Sequence, residues 1–372
     1  MHIALNAHLL SARAGYRAAG IHGYIDGLLR HLSANAPADW RFTAMVGGAY
    51  TTTYPGLTMQ RARFDTEPPL RRIVWEQAIQ PWALRGCDLH HALAFAAPLA
   101  SRVPFVVTIY DLSFIHYPER LSRSRRLYLR LLTGLTCRRA RRVIAISHST
   151  ARDIAATLDI PTEKIDIAAP GYDRALFRPL PDDEVSRFRR TLNLPERFWL
   201  FVGTLEPRKN LVTLLEAYAA LPTTARLPLI IGGGKGWDYQ AIFDTVARHN
   251  LTSTVQFVGF IPSDQLRFWY NSAEMFLYPS VFEGFGLPAL EAMACGTPVI
   301  VSDASSLPEV VGGAGRTLPP HDVSAWTEAL RTAEGDDTWR RAAREQGLRE
   351  AARYSWEETA RQTLASYRRA SG

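Results

Sequence analysis

Short, β-branched and almost wholly apolar runs alternate along this chain with longer stretches whose apolar residues recur at helical spacing. In the first half the strand candidates are HIALNA (2–7), RFTAMVG (41–47), DLHHA (88–92), FVVTIYD (105–111) and RVIAIS (142–147). In the second half they are FWLFVGTL (198–205), PLIIGG (228–233), VQFVGF (255–260), MFLYPS (275–280) and PVIVSD (298–303). Strands that stay apolar at every position are covered by helices on both faces, so the pattern predicts parallel sheets built from βαβ units. The alternation breaks at LFRPLPDDE (176–184), where prolines and acids interrupt it and a second series begins. We therefore expect two doubly wound domains, 1–178 and 179–354, followed by a final helix within 355–372.

Open sheets of this kind bind ligands outside the carboxyl ends of their strands. The turn after MFLYPS reads Val281-Phe282-Glu283-Gly284-Phe285-Gly286-Leu287-Pro288, and Leu290, Met293 and Ala294 continue at helical spacing. Pro288 suits a first helical turn. Gly284 and Gly286 let backbone approach a ligand, and the N–H groups and dipole of the helix favour oxyanions or hydroxyls. Glu283 and Glu291 border the same small volume, where carboxylates can accept hydrogen bonds from the vicinal hydroxyls of a sugar. Helix dipoles attract acids to first turns and so account for Glu291 alone, but not for Glu283 with two glycines.

A second turn, after FWLFVGTL, is Glu206-Pro207-Arg208-Lys209-Asn210. Arg208 and Lys209 are expected to be exposed and to repel each other, which a bound diphosphate would relieve. A solvated basic pair is the structural alternative. GGGKGW (232–237) offers flexible backbone and Lys235, and AGYRAAGIHGYIDGLL (14–29) is a glycine-bearing loop leading into a helix. The latter is not the G-x-G-x-x-G fingerprint, which disfavours a nicotinamide-dependent dehydrogenase. Ser306-Leu307-Pro308-Glu309 reads as a capping box with a structural role.

Charge adds one further feature. The 372 residues carry a net charge of +7, with 47% hydrophobic and 21% charged residues, an ordinary globular composition. The basic excess lies in RLSRSRRLYLRLLTGLTCRRARR (120–142), which contains no acid. Leu127, Leu131 and Leu135 at helical spacing predict an amphipathic helix with an arginine-covered face. That face is either simply solvated or docks on an anionic membrane, where each basic residue contributes about 1 kcal/mol. Nucleic acid is disfavoured because no recognition motif accompanies the charge. Three scattered cysteines, Cys87, Cys137 and Cys295, lack metal-ligand spacing. No run is long and apolar enough to span a bilayer, and the first residues lack the features of a signal peptide, so a cytoplasmic protein is expected.

The run EGFGLPALE, two glutamates separated by seven residues, resembles the signature of the retaining, nucleotide-sugar-dependent glycosyltransferases of family 4. The resemblance extends through FVGTLEPRKNL, GGGKGW, VGF, DLSFIHYPE and APGYDRALFRP, nearly the whole chain. It implies the GT-B fold, two Rossmann-like α/β domains facing across a cleft, with the last helix returning to the N-terminal, acceptor-binding domain. The resemblance further implies that Arg208 and Lys209 neutralise the donor diphosphate, and that Glu283 and the amides of Gly284, Phe285, Gly286 and Leu287 hold the donor sugar and distal phosphate. Glu291 would take the ribose hydroxyls, and Gly20, Gly23, Gly203, Lys235 and Phe260 would complete the donor site. Relatives commonly have His-Asp where this chain has Tyr110-Asp111, so Tyr110, Asp111 and His91 are the acceptor-side candidates. Neither metal nor cofactor is implied beyond the nucleoside-diphosphate sugar, with GDP-mannose favoured and a saccharide or lipid-linked saccharide as acceptor. Three other readings compete: a glycoside hydrolase, a nucleotide-sugar epimerase of the same architecture, and a non-enzymatic membrane- or polyanion-binding protein. A hydrolase has no use for the Arg-Lys pair and places its carboxylates on either side of the scissile bond.

Overall fold

A computed structural model of the chain describes residues 1–10, 20–120 and 123–372. Its contacts divide into two compact units, Met1–Gly171 with Tyr354–Gly372, and Tyr172–Arg353. Residues 172–178, assigned to the first domain from sequence, group instead with the second. Phe177 packs against Tyr270 with ring centroids 6.1 Å apart, and the carbonyl of Arg178 accepts from the Asn271 amide at 3.0 Å.

The first unit is built on a seven-stranded sheet: β1 (His2–Asn6), β2 (Arg41–Val46), β3 (Leu57–Arg61), β4 (Leu89–Ala92), β5 (Phe105–Ile109), β6 (Arg142–Ala145) and β7 (Ile165–Ile167), in the order β3-β2-β1-β4-β5-β6-β7. Every pairing is parallel. Strands β4 and β5 are buried at each position; β5 accordingly reads as an almost wholly apolar run, whereas β4 buries His90 and His91. The second unit has six parallel strands: β8 (Trp199–Val202), β9 (Leu229–Gly232), β10 (Val255–Gly259), β11 (Met275–Tyr278), β12 (Val299–Ser302) and β13 (Arg316–Leu318), in the order β10-β9-β8-β11-β12-β13. The strands that the apolar pattern did not reveal, β3, β7 and β13, all lie at sheet edges. There one flank meets solvent, and sequences such as LTMQR or RTL keep no continuous apolar run.

The C-terminal helix, Trp356–Ser371, belongs to the first unit. Ser355 caps it by accepting from the Glu358 N–H at 3.1 Å. Its seat against the helix Ile21–Leu32 depends on Gly27, where even a methyl group would come within 2.3 Å of the Trp356 ring. Further along, Tyr367 is fully buried and its hydroxyl meets His91 Nδ1 at 2.6 Å.

The arginine-rich segment forms the helix Arg123–Arg139, but its leucine row does not face the core. Leu132, Thr133, Thr136, Cys137 and Ala140 make the buried stripe, while Leu127, Leu131 and Leu135 are 58%, 56% and 45% exposed. The inward register is set by small and branched residues that fit against the sheet, leaving the larger leucines outside. No helix among the described residues is long and apolar enough to cross a membrane.

Candidate functional site

In the second unit the strand order reverses between β8 and β11, and a doubly wound sheet opens a crevice for ligands at such a point. The chain leaving β8 forms the turn Pro207–Lys209 and enters the helix Leu211–Ala220. Chain leaving β11 runs through Ser280 and Glu283 to the helix Leu287–Ala294. The two turns are stitched together by the Val281 N–H donating to the Arg208 carbonyl at 2.9 Å. Asn210, in left-handed conformation, ties its amide to the Pro279 carbonyl at 3.2 Å and accepts from the Thr213 hydroxyl at 2.8 Å.

Between the turns lies a buried ionic cluster. Lys209 Nζ donates to Glu283 Oε1 at 2.5 Å and to the Tyr278 hydroxyl at 2.6 Å. Arg208 reaches Glu283 Oε2 at 3.1 Å and the Phe282 carbonyl at 2.5 Å through Nη1, and Glu206 Oε1 at 2.9 Å through Nε. The Ser280 hydroxyl adds a bond to Glu283 Oε1 at 2.5 Å. Lys209 is 6% exposed and the Arg208 side chain 13%. The expectation of two exposed, mutually repelling cations is thus corrected: each is buried against a carboxylate, and Arg208 and Lys209 balance Glu206 and Glu283 in formal charge. Burial alone would raise the Glu283 pKa, but the adjacent Lys209 and Arg208 charges and the bonds from Lys209 and Ser280 hold it at about 2. Glu283 is the shared counter-ion that fixes both cations, with both its oxygens engaged.

The glycine turn is braced from behind. Gly286 caps the helix Leu287–Ala294 at φ 111°, a conformation glycine adopts readily, and a side chain there would meet Leu307 at 2.6 Å. Ser306 does not form the capping box read from sequence, because its hydroxyl gives no helix cap. It donates instead towards the carbonyls of Phe285 at 2.6 Å and Glu283 at 3.0 Å, while Ser305 holds the Glu283 carbonyl at 2.5 Å. Those bonds hold the carbonyls of the turn towards Ser305 and Ser306. Glu291, one helical turn on, accepts from the Tyr270 hydroxyl at 3.1 Å. Burial pushes its pKa up to about 8, opposed by that bond, so the protonated form persists well above the ordinary carboxylate range.

The remaining donor-side candidates divide by position. Gly203 donates to the Gly232 carbonyl at 2.9 Å, next to the turn Pro207–Lys209. Lys235 is exposed and lies 4.9 Å from the Tyr239 ring centroid, and Phe260, beyond β10, is 52% exposed. Leu287 opens the helix after the glycine turn and is half-buried. In the first unit Gly20 stands at the start of the helix Ile21–Leu32 and Gly23 within its first turn, each with open space where a side chain would project. The part of that loop at 14–19 lies outside the described residues.

The acceptor-side candidates are mostly structural. His91 is fully buried, with Nδ1 meeting the Tyr367 hydroxyl and Nε2 the Thr108 hydroxyl at 2.8 Å, so neither ring nitrogen is available to a ligand. Tyr110 is buried and donates to the Leu93 carbonyl at 2.7 Å. Asp111 accepts from the Ser113 N–H at 2.8 Å at the start of a short helix. Sequence reading missed another polar group at this unit's own reversal, between β1 and β4. Asn6 donates to Glu76 at 3.3 Å, and burial pushes the Glu76 pKa up to about 7 against the opposing charge of Arg72. The His8 ring lies against Trp75, tilted by 43° with centroids 3.9 Å apart. Glu76 sits on a π-helical segment, Trp75–Ile79, a form enriched at functional sites. The available signal was a lone acid in the apolar and basic run PLRRIVWEQAIQPW.

Known proteins resemble this chain along most of its length. Residues 182–350 match the family described as glycosyl transferases group 1, and residues 39–176 match glycosyltransferase family 4. The chain is 33% identical over 293 residues to the O-antigen chain mannosyltransferase B of Escherichia coli, covering 78% of this chain and 77% of that protein. It is 33% identical over 247 residues to a D-inositol 3-phosphate glycosyltransferase of Nocardioides, covering 61% of this chain and 53% of the relative. Among solved structures, sucrose-phosphate synthase from Thermosynechococcus elongatus superposes with a TM-score of 0.79 at 24% identity, over 99% of this chain and 98% of that one. Anabaena HepE in complex with UDP superposes at 0.74 with 19% identity, over 98% of each chain. At these identities the structures establish the fold.

Two measurements test the ionic cluster. Glu283→Gln leaves Lys209 and Arg208 without their shared carboxylate and is expected to lower the unfolding free energy by about 3–5 kcal/mol at neutral pH. Because the Glu283 pKa is lower in the folded state, its contribution is present above the ordinary carboxylate pKa and lost as pH falls towards about 2. Denaturant unfolding with an unchanged midpoint would refute the assignment. Glu291 has the opposite sign: its raised pKa gives stability that is full below the ordinary carboxylate value and lost as pH rises to about 8. Glu291→Gln should therefore flatten stability across that interval, and an unaltered pH slope would count against a protonated Glu291.

Proposed function

The chain belongs to the group 1, family 4 glycosyltransferases, and from that premise we propose a retaining, metal-independent transfer of a hexose from a nucleoside-diphosphate sugar to a saccharide or lipid-linked saccharide. The observation that carries the reading is the buried cluster in which Glu283 fixes Arg208 and Lys209 at the switch point of the second sheet. As the sugar–phosphate bond breaks, negative charge grows on the leaving diphosphate. Cations already held in position stabilise that charge without reorganising at the moment of reaction. The acceptor hydroxyl attacks C1 on the face from which the diphosphate departs. Its oxygen forms the new bond to C1, the bond from C1 to phosphate breaks, and a phosphate oxygen takes the acceptor proton. In this proposal Glu283 acts as a positioning group and not as a covalent nucleophile, a reading supported by the engagement of both its oxygens.

The mannosyltransferase relative in Escherichia coli favours mannose as the sugar and an O-antigen-like chain as the acceptor, and GDP-mannose is the donor proposed with them. The complex of HepE with UDP supports a nucleotide site in this fold. Glu291 would meet the ribose hydroxyls, with Lys235 and Phe260 beside the nucleotide. The first unit would bind the acceptor. An enzyme that elongates a lipid-linked saccharide works beside a bilayer on its cytoplasmic side, and the basic segment 120–142 supplies charge for contact with anionic lipid.

The test is incubation with GDP-mannose, UDP-glucose and other nucleotide sugars against a panel of saccharide acceptors. Nucleoside diphosphate should appear in step with glycoside. Release without glycoside would favour hydrolysis, and conversion of donor without any acceptor would favour an epimerase. Arg208→Ala should lower turnover by about 10²–10³-fold per folded molecule. Unfolding must be measured alongside because Arg208 is part of the buried cluster, and wild-type turnover in a folded variant would refute its role.

A further inference from the structure

The first unit concentrates its exposed apolar side chains in one region. Among the described residues, all its large exposed hydrophobics lie on two helical stretches: Leu70, Val74, Ile79 and Trp82 on Pro69–Ala83, and Leu127, Leu131 and Leu135 on Arg123–Arg139. Leu70 is 78% exposed and Trp82 63%. Scattered exposed leucines need no explanation, but rows repeated on neighbouring helices do.

Both stretches grip the same connecting segment. Gln77 donates to the Ala97 carbonyl at 3.2 Å and accepts from the Leu99 N–H at 3.1 Å. From the other side, Thr136 accepts from the Ala97 N–H at 3.4 Å and Arg139 donates to the Leu99 carbonyl. The two helical stretches that carry the apolar rows therefore flank residues 97–99 as neighbours.

The exposed charge on the two stretches themselves has one sign. Arg71, Arg85, Arg130, Arg138 and Arg139 are exposed beside the apolar rows. Arg138 donates to the Leu158 carbonyl, and Arg139 to that of Leu99, rather than to carboxylates. The single acid within 69–86 is Glu76, whose pKa burial raises to about 7, and 120–142 contains none. Trp82 lies beneath the Arg85 guanidinium, 3.9 Å from its ring centroid. An amphipathic aromatic ring under a cation, beside aliphatic rows edged with arginine, matches the layered polarity at a lipid headgroup boundary.

We propose that Pro69–Ala83 and Arg123–Arg139 form one monotopic docking surface that inserts Leu70, Val74, Trp82, Leu127, Leu131 and Leu135 into the acyl boundary of an anionic bilayer. The inference rests on the membrane contact proposed above for 120–142. It deepens that contact from charge attraction by one segment to apolar entry by two, and it is independent of the transfer chemistry.

Flotation of the full chain with phosphatidylcholine vesicles, with and without phosphatidylglycerol, at low and high salt, tests the proposal. Binding should require the anionic lipid at first contact, yet part of it should survive high salt, because Debye screening weakens charge attraction and leaves apolar burial in place. Leu131→Glu and Trp82→Glu should each weaken binding about tenfold or more. Both sites are exposed, so thermal unfolding should be unchanged and loss of fold is distinguished from loss of docking. If both variants bind like wild type while Arg130→Glu and Arg138→Glu do not, the contact is electrostatic only and apolar entry is overturned. If Leu131→Glu alone weakens binding, the two-helix surface is overturned. Should wild type bind no vesicle but self-associate through these residues in sizing experiments, the lipid assignment fails for a protein interface, and the glycosyltransferase reading stands untouched.

Discussion

One buried carboxylate organises the second unit's ligand edge. Glu283 is held by Lys209, Arg208 and Ser280, and these contacts join the turn after β8 to the turn after β11. Removing charged groups from water is costly, so the arrangement persists only because every member is paired at close range. The second sheet's switch point, the glycine turn and the helix at 287–294 are thereby locked into one geometry. Ser305 and Ser306 add a second brace by holding the carbonyls of the same turn.

The chemical consequence is pre-organisation. A lysine and an arginine on flexible stems would spend rotamer entropy to meet a diphosphate, and much of their attraction would be lost to solvent. Fixed by Glu283 and Glu206, they would need little further ordering in the proposed reaction when charge develops on a leaving group. The formal neutrality of the cluster sharpens this point. In the transfer we propose, the cations would be directed by partners that remain in place while the charge on the ligand grows, which would weight their contribution towards the transition state.

Much of this was legible in the sequence, for identifiable reasons. Strands buried on both faces are mostly apolar, so β1, β5, β8 and β11 announced themselves, whereas edge strands β3 and β13 carry mixed residues that resemble loops. The positions of Glu283, Arg208 and Lys209 followed from the rule that ligands gather at carboxyl ends of strands. Their pairing did not follow, because local sequence gives no distance between turns some 70 residues apart. Ser306 looked like a helix cap because its local spacing fits one, and tertiary contacts gave its hydroxyl another use. His91 looked available because a histidine near a strand end is ambiguous until the helix carrying Tyr367 is placed over it. The leucines of Arg123–Arg139 had a helical period that was real, but period alone does not say which of two possible stripes faces the sheet.

The account stands most directly on how the cluster treats phosphate groups. Calorimetric binding of UDP, GDP, ADP and dTDP, each compared with its monophosphate, isolates the cations' contribution from that of the base. For the accepted base, the diphosphate should bind at least about tenfold more tightly than the monophosphate, and the advantage should largely vanish in Arg208→Gln. Equal affinity for mono- and diphosphates in the wild-type protein, or a preference unaffected by Arg208→Gln, would contradict a pyrophosphate grip built on Glu283.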